Sequence, residues 1–213
     1  MIDNNFELET LVLGALQTNC YIIYNNKTKE AMVIDPANDV EKIIKYLEER
    51  DLVCKAVLLT HGHFDHIMAV SELKDATGAV VYAHEDEREL LESPVLNASS
   101  QVGRNCVVKP DVFLHEGHKL DLIGFSLEVV HTPGHTAGGV CYLFKDQKVL
   151  ISGDTLFRDS IGRSDLPTGN GQVLVDSIRT KLMVLDEDVN VYPGHGMPTT
   201  IGHEKNHNPF VRA

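Results

Sequence analysis

Six consecutive residues, His61-Gly62-His63-Phe64-Asp65-His66, constrain this chain most strongly, and they directly follow the apolar stretch 55–60. On an extended strand tip, His61 and His63 project to the same side, because side chains alternate along a strand. A turn after His63 can then direct Asp65 and His66 towards a second position nearby. Imidazole nitrogen and carboxylate oxygen are donors that zinc, iron and manganese bind. The pattern therefore predicts a metal site at the end of this stretch.

Six neighbouring residues cannot complete such a site alone, so further ligands must come from elsewhere in the chain. Three other segments place a candidate beside glycine at a strand-to-loop junction, namely HTPGHT, SGDT and YPGHG, and two of these candidates follow Pro-Gly, which favours tight turns. The predicted ligands are His61, His63, Asp65, His66, His135, Asp154 and His195. The remaining histidines are predicted to be ordinary surface or core residues: His84, His115, His118, His131, His203 and His207.

The hydrophobic pattern alternates between strand-like and helix-like segments, which predicts an α/β fold. Strands are predicted at residues 7–13, 20–24, 31–35, 55–60, 80–84 and 189–192, and helices at 40–50, about 67–77 and 176–185. The chain is β-rich again from His118 to Asp154. The region 85–110 is poorly patterned and is predicted to be helix and loop.

The two halves of the chain resemble each other. The first reads CYIIYNNKTKEAMVIDP, then a helix, an apolar strand and HGH; the second reads CYLFKDQKVLISGD, then a helix, a short strand and PGHG. Two such halves predict a sandwich of two sheets packed face to face, with helices outside. The strand ends, and with them the metal site, would lie at one shared sheet edge.

Composition limits the partners and the location of the protein. With 213 residues, the chain is predicted to form a single domain, 1–213. Its 31 acidic and 19 basic residues give a net charge of −12, which argues against nucleic acid and against an anionic membrane surface. The first residues lack a basic-then-apolar leader, and no apolar run approaches the about 18 residues of a membrane span. We therefore expect a cytoplasmic protein.

The motifs THGHFDH, HTPGHTAGG, SGDTLF, IGRSDLP and YPGHGMPTTIGHEKNHNPF together resemble the metallo-β-lactamase superfamily over essentially the whole chain. Within it, the chain is similar to the short glyoxalase II-like proteins. The resemblance implies an αββα four-layer sandwich and two divalent metal ions. Zinc is the first choice of metal, and iron and manganese are the alternatives. The resemblance assigns His61, His63 and His135 to one ion and Asp65, His66 and His195 to the other, with Asp154 bridging.

The resemblance also implies hydrolysis of a small-molecule thioester. A water shared by two metals would ionise near neutral pH, since one zinc ion can lower its pKa to about 7. Asp65 would be the catalytic residue that holds and orients this nucleophile. Arg163 lies where the family carries a cation for the glutathione carboxylate, a role that suits a guanidinium. An ion pair from Arg163 to Asp159 or Asp165 is an equal alternative.

Other functions on this scaffold stay open at this point. A persulfide dioxygenase would use a single iron, and a lactonase shares the full ligand set. A β-lactamase is disfavoured by the missing export signal and by Asp154, and a ribonuclease by the acidic charge. A purely structural zinc site would be a closed cage, commonly rich in thiolates. Glyoxalase II enzymes carry an extra C-terminal helical region that supplies much of the glutathione site, so the thiol carrier also stays open.

Overall fold

The structure is a computed structural model that describes residues 5–212; residues 1–4 and 213 of the predicted domain lie outside the described part. The first of two six-stranded sheets has the strand order β1 to β6. Pairing is antiparallel from β1 to β3 and parallel from β3 to β6. The strands are β1 (Phe6–Leu13), β2 (Thr18–Asn25), β3 (Glu30–Ile34), β4 (Val53–Leu58), β5 (Val80–His84) and β6 (Val112–Leu114).

The second sheet has the strand order β14-β13-β10-β9-β8-β7, in which only β10 and β13 pair in parallel. A two-stranded hairpin, β11 with β12, follows β10 along the chain. These strands are β7 (Lys119–Leu122), β8 (Phe125–His131), β9 (Val140–Phe144), β10 (Val149–Gly153), β11 (Leu156–Phe157), β12 (Ser160–Ile161), β13 (Asn190–Pro193) and β14 (Thr199–Thr200).

Helices cover the outer faces of both sheets. They are α1 (Val40–Glu48), α2 (Phe64–Ile67), α3 (Val70–Thr77), α4 (Arg88–Glu92), α5 (Gly171–Ser177) and α6 (Ile201–His207), with 3-10 turns at Glu85–Glu87 and Ser99–Val102 and a π turn at Ile178–Leu182. None of the helices in residues 5–212 has the length and apolar character needed to cross a membrane.

Alternation along the strands produces the four layers. On β2, Tyr21 and Ile23 join a core between the two sheets, whereas Cys20 and Ile22 join a core beneath α1 and α3. A third core lies between the second sheet and α5. Because buried side chains cover both faces of each sheet, the order of layers is helix, sheet, sheet, helix. The predicted αββα sandwich is confirmed.

The two similar halves meet through crossed hydrogen bonds. Each contains an antiparallel hairpin followed by a parallel strand: β2, β3 and β4 in the first half, and β9, β10 and β13 in the second. The Tyr21 hydroxyl donates to the Pro193 carbonyl at 2.5 Å, and the Tyr142 hydroxyl donates to the Leu59 carbonyl at 2.7 Å. Each half thus holds the strand end that leads into the histidine loop of the other half.

Two predicted helices differ from the observed ones. The helix expected at about 67–77 is interrupted between α2 and α3, where the Ala69 amide donates to the Pro36 carbonyl at 3.0 Å instead of continuing one helix. The helix expected at 176–185 begins earlier, at Gly171. There the Asn170 side chain accepts from the amides of Gln172 and Val173, which caps the first turn.

Candidate metal centre

All of the predicted ligands come together at the shared edge of the two sheets. The HGHFDH segment follows β4, Asp154 follows β10 and His195 follows β13, while His135 lies in the loop between β8 and β9. The side chains form two groups of donor atoms with Asp154 between them. The structure brings these residues together, and their coordination of metal ions stays a prediction.

The first donor group consists of three buried histidines. His63 Nδ1 lies 2.9 Å from His135 Nε2, which lies 3.2 Å from His61 Nε2. These separations are near the about 3.4 Å expected between donors in a tetrahedron with a zinc–nitrogen distance of about 2.1 Å. Three nitrogen atoms from two loops, one with His61 and His63 and the other with His135, therefore converge within the spacing that one ion requires.

Hydrogen bonds determine which nitrogen atoms of this group carry a lone pair. His135 Nδ1 lies 2.6 Å from the Arg163 carbonyl and donates to it, and His61 Nδ1 lies 3.1 Å from Thr60 Oγ1. With both Nδ1 atoms protonated, the Nε2 atoms of His61 and His135 are unprotonated and their lone pairs face each other. A cation between them stabilises this arrangement. Burial, followed by neighbouring histidines, lowers the pKa of His61 and lowers that of His63 to about 3. Both are therefore in the neutral form that binds metals.

The second donor group lies nearer the solvent. Asp65 Oδ2 lies 3.6 Å from His66 Nε2 and 3.2 Å from His195 Nε2. His66 Nε2 is buried and has no hydrogen-bond partner among residues 5–212. Burial would raise the pKa of Asp65, but His66 and hydrogen bonds from His195 and Thr18 bring it well below its ordinary value. An ionised carboxylate and an unpaired buried nitrogen fit a second divalent ion.

Asp154 lies between the two groups. Its Oδ2 atom lies 3.7 Å from His135 Nε2 and 3.6 Å from His195 Nε2, so one oxygen faces a ligand of each group. Its Oδ1 atom is buried and unpaired within the described part of the chain, 3.4 Å from His66 Nε2. A Cβ atom at Gly194 would collide with Asp154 Oδ1 and His66, which explains glycine before His195.

Asp35, which the sequence analysis did not single out, orients one histidine of each group. Its carboxylate accepts from His66 Nδ1 at 2.9 Å and from Thr60 Oγ1 at 2.6 Å, and that hydroxyl in turn contacts His61. Such partners orient the imidazole and leave its other nitrogen for the metal. The sequence did contain a signal, because Asp35 ends the first-half hairpin as Asp154 ends that of the second half.

Glu87 joins the two loops that carry the first donor group. Its buried carboxylate accepts from the Gly62 amide at 2.9 Å, from the Gly138 amide at 2.8 Å and from the Thr136 hydroxyl. Gly62 separates His61 from His63, and Thr136 follows His135. The residue lies in the poorly patterned region 85–110, where the sequence offered no signal for it.

A cleft of about 390 Å³ opens onto the donor groups. Besides the ligands, it is lined by Leu16, Phe64, Ala98, Phe157, Arg163 and Leu166. Arg163 donates to both oxygens of Asp165, at 2.7 and 2.9 Å, so of the two ion pairs considered the one to Asp165 is formed. Its role in substrate binding stays a prediction.

Among the histidines predicted to be ordinary, His84 and His131 stack at 4.0 Å with Asp86 nearby. One nitrogen atom of each ring already has a partner: His84 Nδ1 accepts from the Asp86 amide at 3.3 Å, and His131 Nε2 donates to the Ala137 carbonyl at 2.9 Å. These contacts favour a structural role for the pair.

A sequence profile described as the Metallo-beta-lactamase superfamily matches residues 13–195. The chain belongs to this superfamily. It is 40% identical to the hydroxyacylglutathione hydrolase GloC of Haemophilus influenzae, over 97% of this chain and 98% of that protein. This superfamily contains metallo-hydrolases whose fold binds divalent metals, and the resemblance seen in the motifs is confirmed.

Solved structures of the superfamily superpose closely on this chain. The BLEG-1 B3 metallo-beta-lactamase has a TM-score of 0.92 and 44% identity, covering 97% of this chain and all 100% of that one. TTHA1623, solved in a di-iron-bound form, has a TM-score of 0.86 and 36% identity, covering 95% and 100%. The metallo-beta-lactamase fold of these neighbours is thus shared over nearly the whole chain.

Proposed function

We propose that this protein is a dinuclear metal-dependent hydrolase that cleaves a small-molecule thioester, as a hydroxyacylglutathione hydrolase does. The position of Asp154 between two complete donor groups carries the proposal, because a single ion would not use both groups. The 40% identity to a hydroxyacylglutathione hydrolase supports the substrate class. Zinc is the first choice of metal and iron the second, since both accept imidazole and carboxylate donors.

Two bound divalent ions supply a water of lowered pKa and polarisation of the substrate carbonyl. The residues of the chain supply orientation. Asp65 is ionised and lines the cleft, so it can accept a hydrogen bond from the attacking water and direct it to the carbonyl carbon. Thr18 Oγ1 donates to Asp65 Oδ2 at 3.1 Å and limits rotation of that carboxylate. We assign Asp65 as the catalytic residue on this basis.

Arg163 is the proposed contact for the thiol carrier. It lines the cleft with its guanidinium at the surface, where water and salt screen its ion pair with the exposed Asp165. A carboxylate of the thiol carrier can therefore replace Asp165 and form the same two-pronged contact. This exchange would place the carrier along Phe157 and Leu166.

Thioester cleavage with and without dioxygen tests the proposed reaction. Zinc-loaded and iron-loaded protein should release thiol from S-lactoylglutathione at the same rate in air and without it, because hydrolysis does not consume dioxygen. Oxygen uptake with glutathione persulfide and no thioester cleavage under either metal would contradict the proposal and favour the dioxygenase.

Hydrolysis of a β-lactam is the second candidate, favoured by the 44% identity to the BLEG-1 enzyme. A lactam is also an acyl compound, and the same donor groups could serve its cleavage. A cephalosporin and a simple lactone therefore belong in the same assay. Turnover of the cephalosporin well above that of every thioester would replace the thioester proposal.

Replacing Asp154 tests the dinuclear arrangement. Asp154→Ala removes the side chain that faces both donor groups, so we expect it to lower the metal content at both positions and to reduce kcat/KM by at least about a hundredfold. His195→Ala is the comparison, because it removes a ligand of the second group alone and should keep about one ion per chain. Elemental analysis after dialysis measures both. Equal metal content in the two variants would contradict the bridging role.

A further inference from the structure

We propose that a side pocket next to the cleft binds the acyl chain of the thioester, and that Arg104 binds a carboxylate at the end of this chain. The inference rests on the proposed thioester function and narrows its substrate class to acyl groups that end in a carboxylate. It concerns a pocket whose lining includes Arg104 and does not include Arg163.

The side pocket has a volume of about 180 Å³ and branches from the cleft. Leu16, Phe64 and Asp65 line both spaces, so a molecule held at Asp65 can extend into either. The rest of the pocket wall is mostly apolar, with Leu13, Ala15, Ala37, Met68 and Val102 among its side chains.

Two large apolar side chains of the pocket are open to water. Leu16 is 53% exposed and Val102 is 50% exposed. Single exposed apolar residues are common, but these two line the same concave surface beside the reacting centre. Covering them with an alkyl chain is favourable by about 0.8 kcal/mol for each buried methylene group.

Arg104 is the one cationic side chain of the pocket lining, and it has little to bind within the described part of the chain. Its only ion pair there is with Glu72 at 3.9 Å, and the Arg104 and Glu72 side chains are 52% and 56% exposed. An ion pair this long and open contributes little to stability. Its guanidinium therefore has donors available for a carboxylate without releasing a strong partner, whereas Arg163 must exchange its two hydrogen bonds to Asp165.

The size of the two spaces decides which part of the substrate enters each. The two arms of a thioester leave the carbonyl carbon in different directions. The thiol carrier is the bulkier arm and fits the cleft of about 390 Å³ beside Arg163. The acyl arm then enters the apolar side pocket of about 180 Å³, with its terminal charge at Arg104.

A series of glutathione thioesters that differ only in the acyl group tests this assignment. From acetyl to butanoyl to hexanoyl, kcat/KM should rise by up to about fourfold per added methylene, which is about 0.8 kcal/mol. Arg104→Gln should lower kcat/KM for the 5-carboxypentanoyl thioester by about tenfold and change that for the hexanoyl thioester less than about twofold. Val102→Asp should abolish the gain with chain length; Val102 is half exposed, so the fold should tolerate the change.

Arg50→Gln is the matched control, because Arg50 is also exposed and pairs with Glu49 at 3.8 Å, outside the lining of either space. Binding is measured separately by calorimetry with two uncleavable thioethers, S-(5-carboxypentyl)glutathione and S-hexylglutathione. Arg104→Gln should weaken only the first, by about tenfold.

Two results would overturn the inference while the proposed function stands. The first is cleavage of S-lactoylglutathione with no rise in kcat/KM from the acetyl to the hexanoyl thioester. The second is an equal loss of kcat/KM in Arg104→Gln on the hexanoyl and 5-carboxypentanoyl thioesters. Cleavage of no thioester at all would instead refute the proposed function itself.

Discussion

At the scale of single residues, Asp35 affects both donor groups, because its carboxylate contacts His66 directly and reaches His61 through Thr60. We predict that Asp35→Asn lowers metal affinity by about 10–100-fold, as the loss of partners of metal-binding histidines does elsewhere. Competition with a chromogenic chelator measures the change. Asp188→Asn is the control, since Asp188 is exposed and pairs only with Lys148 in the described structure. Unchanged affinity in Asp35→Asn would contradict the orienting role.

Glu87 provides a prediction of pH dependence. Burial raises the pKa of Glu87 from 4.5 to about 7, although three hydrogen-bond donors partly oppose the shift. Since the folded state has the higher pKa, the contribution of this carboxyl to stability is full below pH 4.5 and is lost as the pH rises through about 7. We predict that the stability of the wild type relative to Glu87→Gln falls by up to about 1.4 kcal/mol per pH unit across this window.

Denaturant unfolding of both proteins in the presence of a chelator, at several pH values, measures this difference in the free energy of unfolding. Glu89→Gln, at an exposed position of the adjoining helix α4, is the control and should show no such trend. A difference between wild type and Glu87→Gln that stays constant over the window would show that the carboxyl titrates normally.

At the scale of secondary-structure elements, the crossed tyrosines attach each half to a strand end of the other. The Pro193 carbonyl accepts from the Tyr21 hydroxyl and also from Asn19 Nδ2 at 2.9 Å. The Leu59 carbonyl accepts from Tyr142, and no other side-chain donor to it is found within residues 5–212. We therefore expect Tyr142→Phe to cost about 1–3 kcal/mol of unfolding free energy and Tyr21→Phe about 1 kcal/mol or less. Urea denaturation of both variants measures the two losses in unfolding free energy. A larger loss in Tyr21→Phe than in Tyr142→Phe would contradict the prediction.

At the scale of the whole molecule, the candidate metal centre lies where the two halves meet. The first half contributes the HGHFDH ligands, and the second contributes His135, Asp154 and His195. Ions bound at this centre therefore favour the folded chain, by about 2.7 kcal/mol for each site when free metal is a hundredfold above its Kd. We predict that a chelator lowers the melting temperature and that added zinc or iron restores it. An unchanged melting temperature after complete metal removal would show that the sheets alone hold the halves together.

The sequence by itself determined the α/β class, the four layers, the family and the residues that meet at the metal centre. It could do so because each of these depends on short patterns: alternating apolar residues within strands, and ligands in brief motifs beside strand ends. The metal-binding role of the motif from His61 to His66 can be predicted without a structure, because its candidate ligands lie next to one another along the chain.

Only the tertiary structure decided the roles of Asp35 and Glu87, the pairing of Arg163 and the existence of a side pocket at Arg104. Asp35 contacts Thr60, 25 residues away along the chain, and Glu87 contacts Thr136, 49 residues away. No local pattern encodes such contacts, because they arise when separate loops are brought to one sheet edge. The start of α5 differs from the predicted start for a related reason. Asn170 caps the helix, and its position is set by a contact distant in sequence, because its amide donates to the Gly134 carbonyl in the loop of His135.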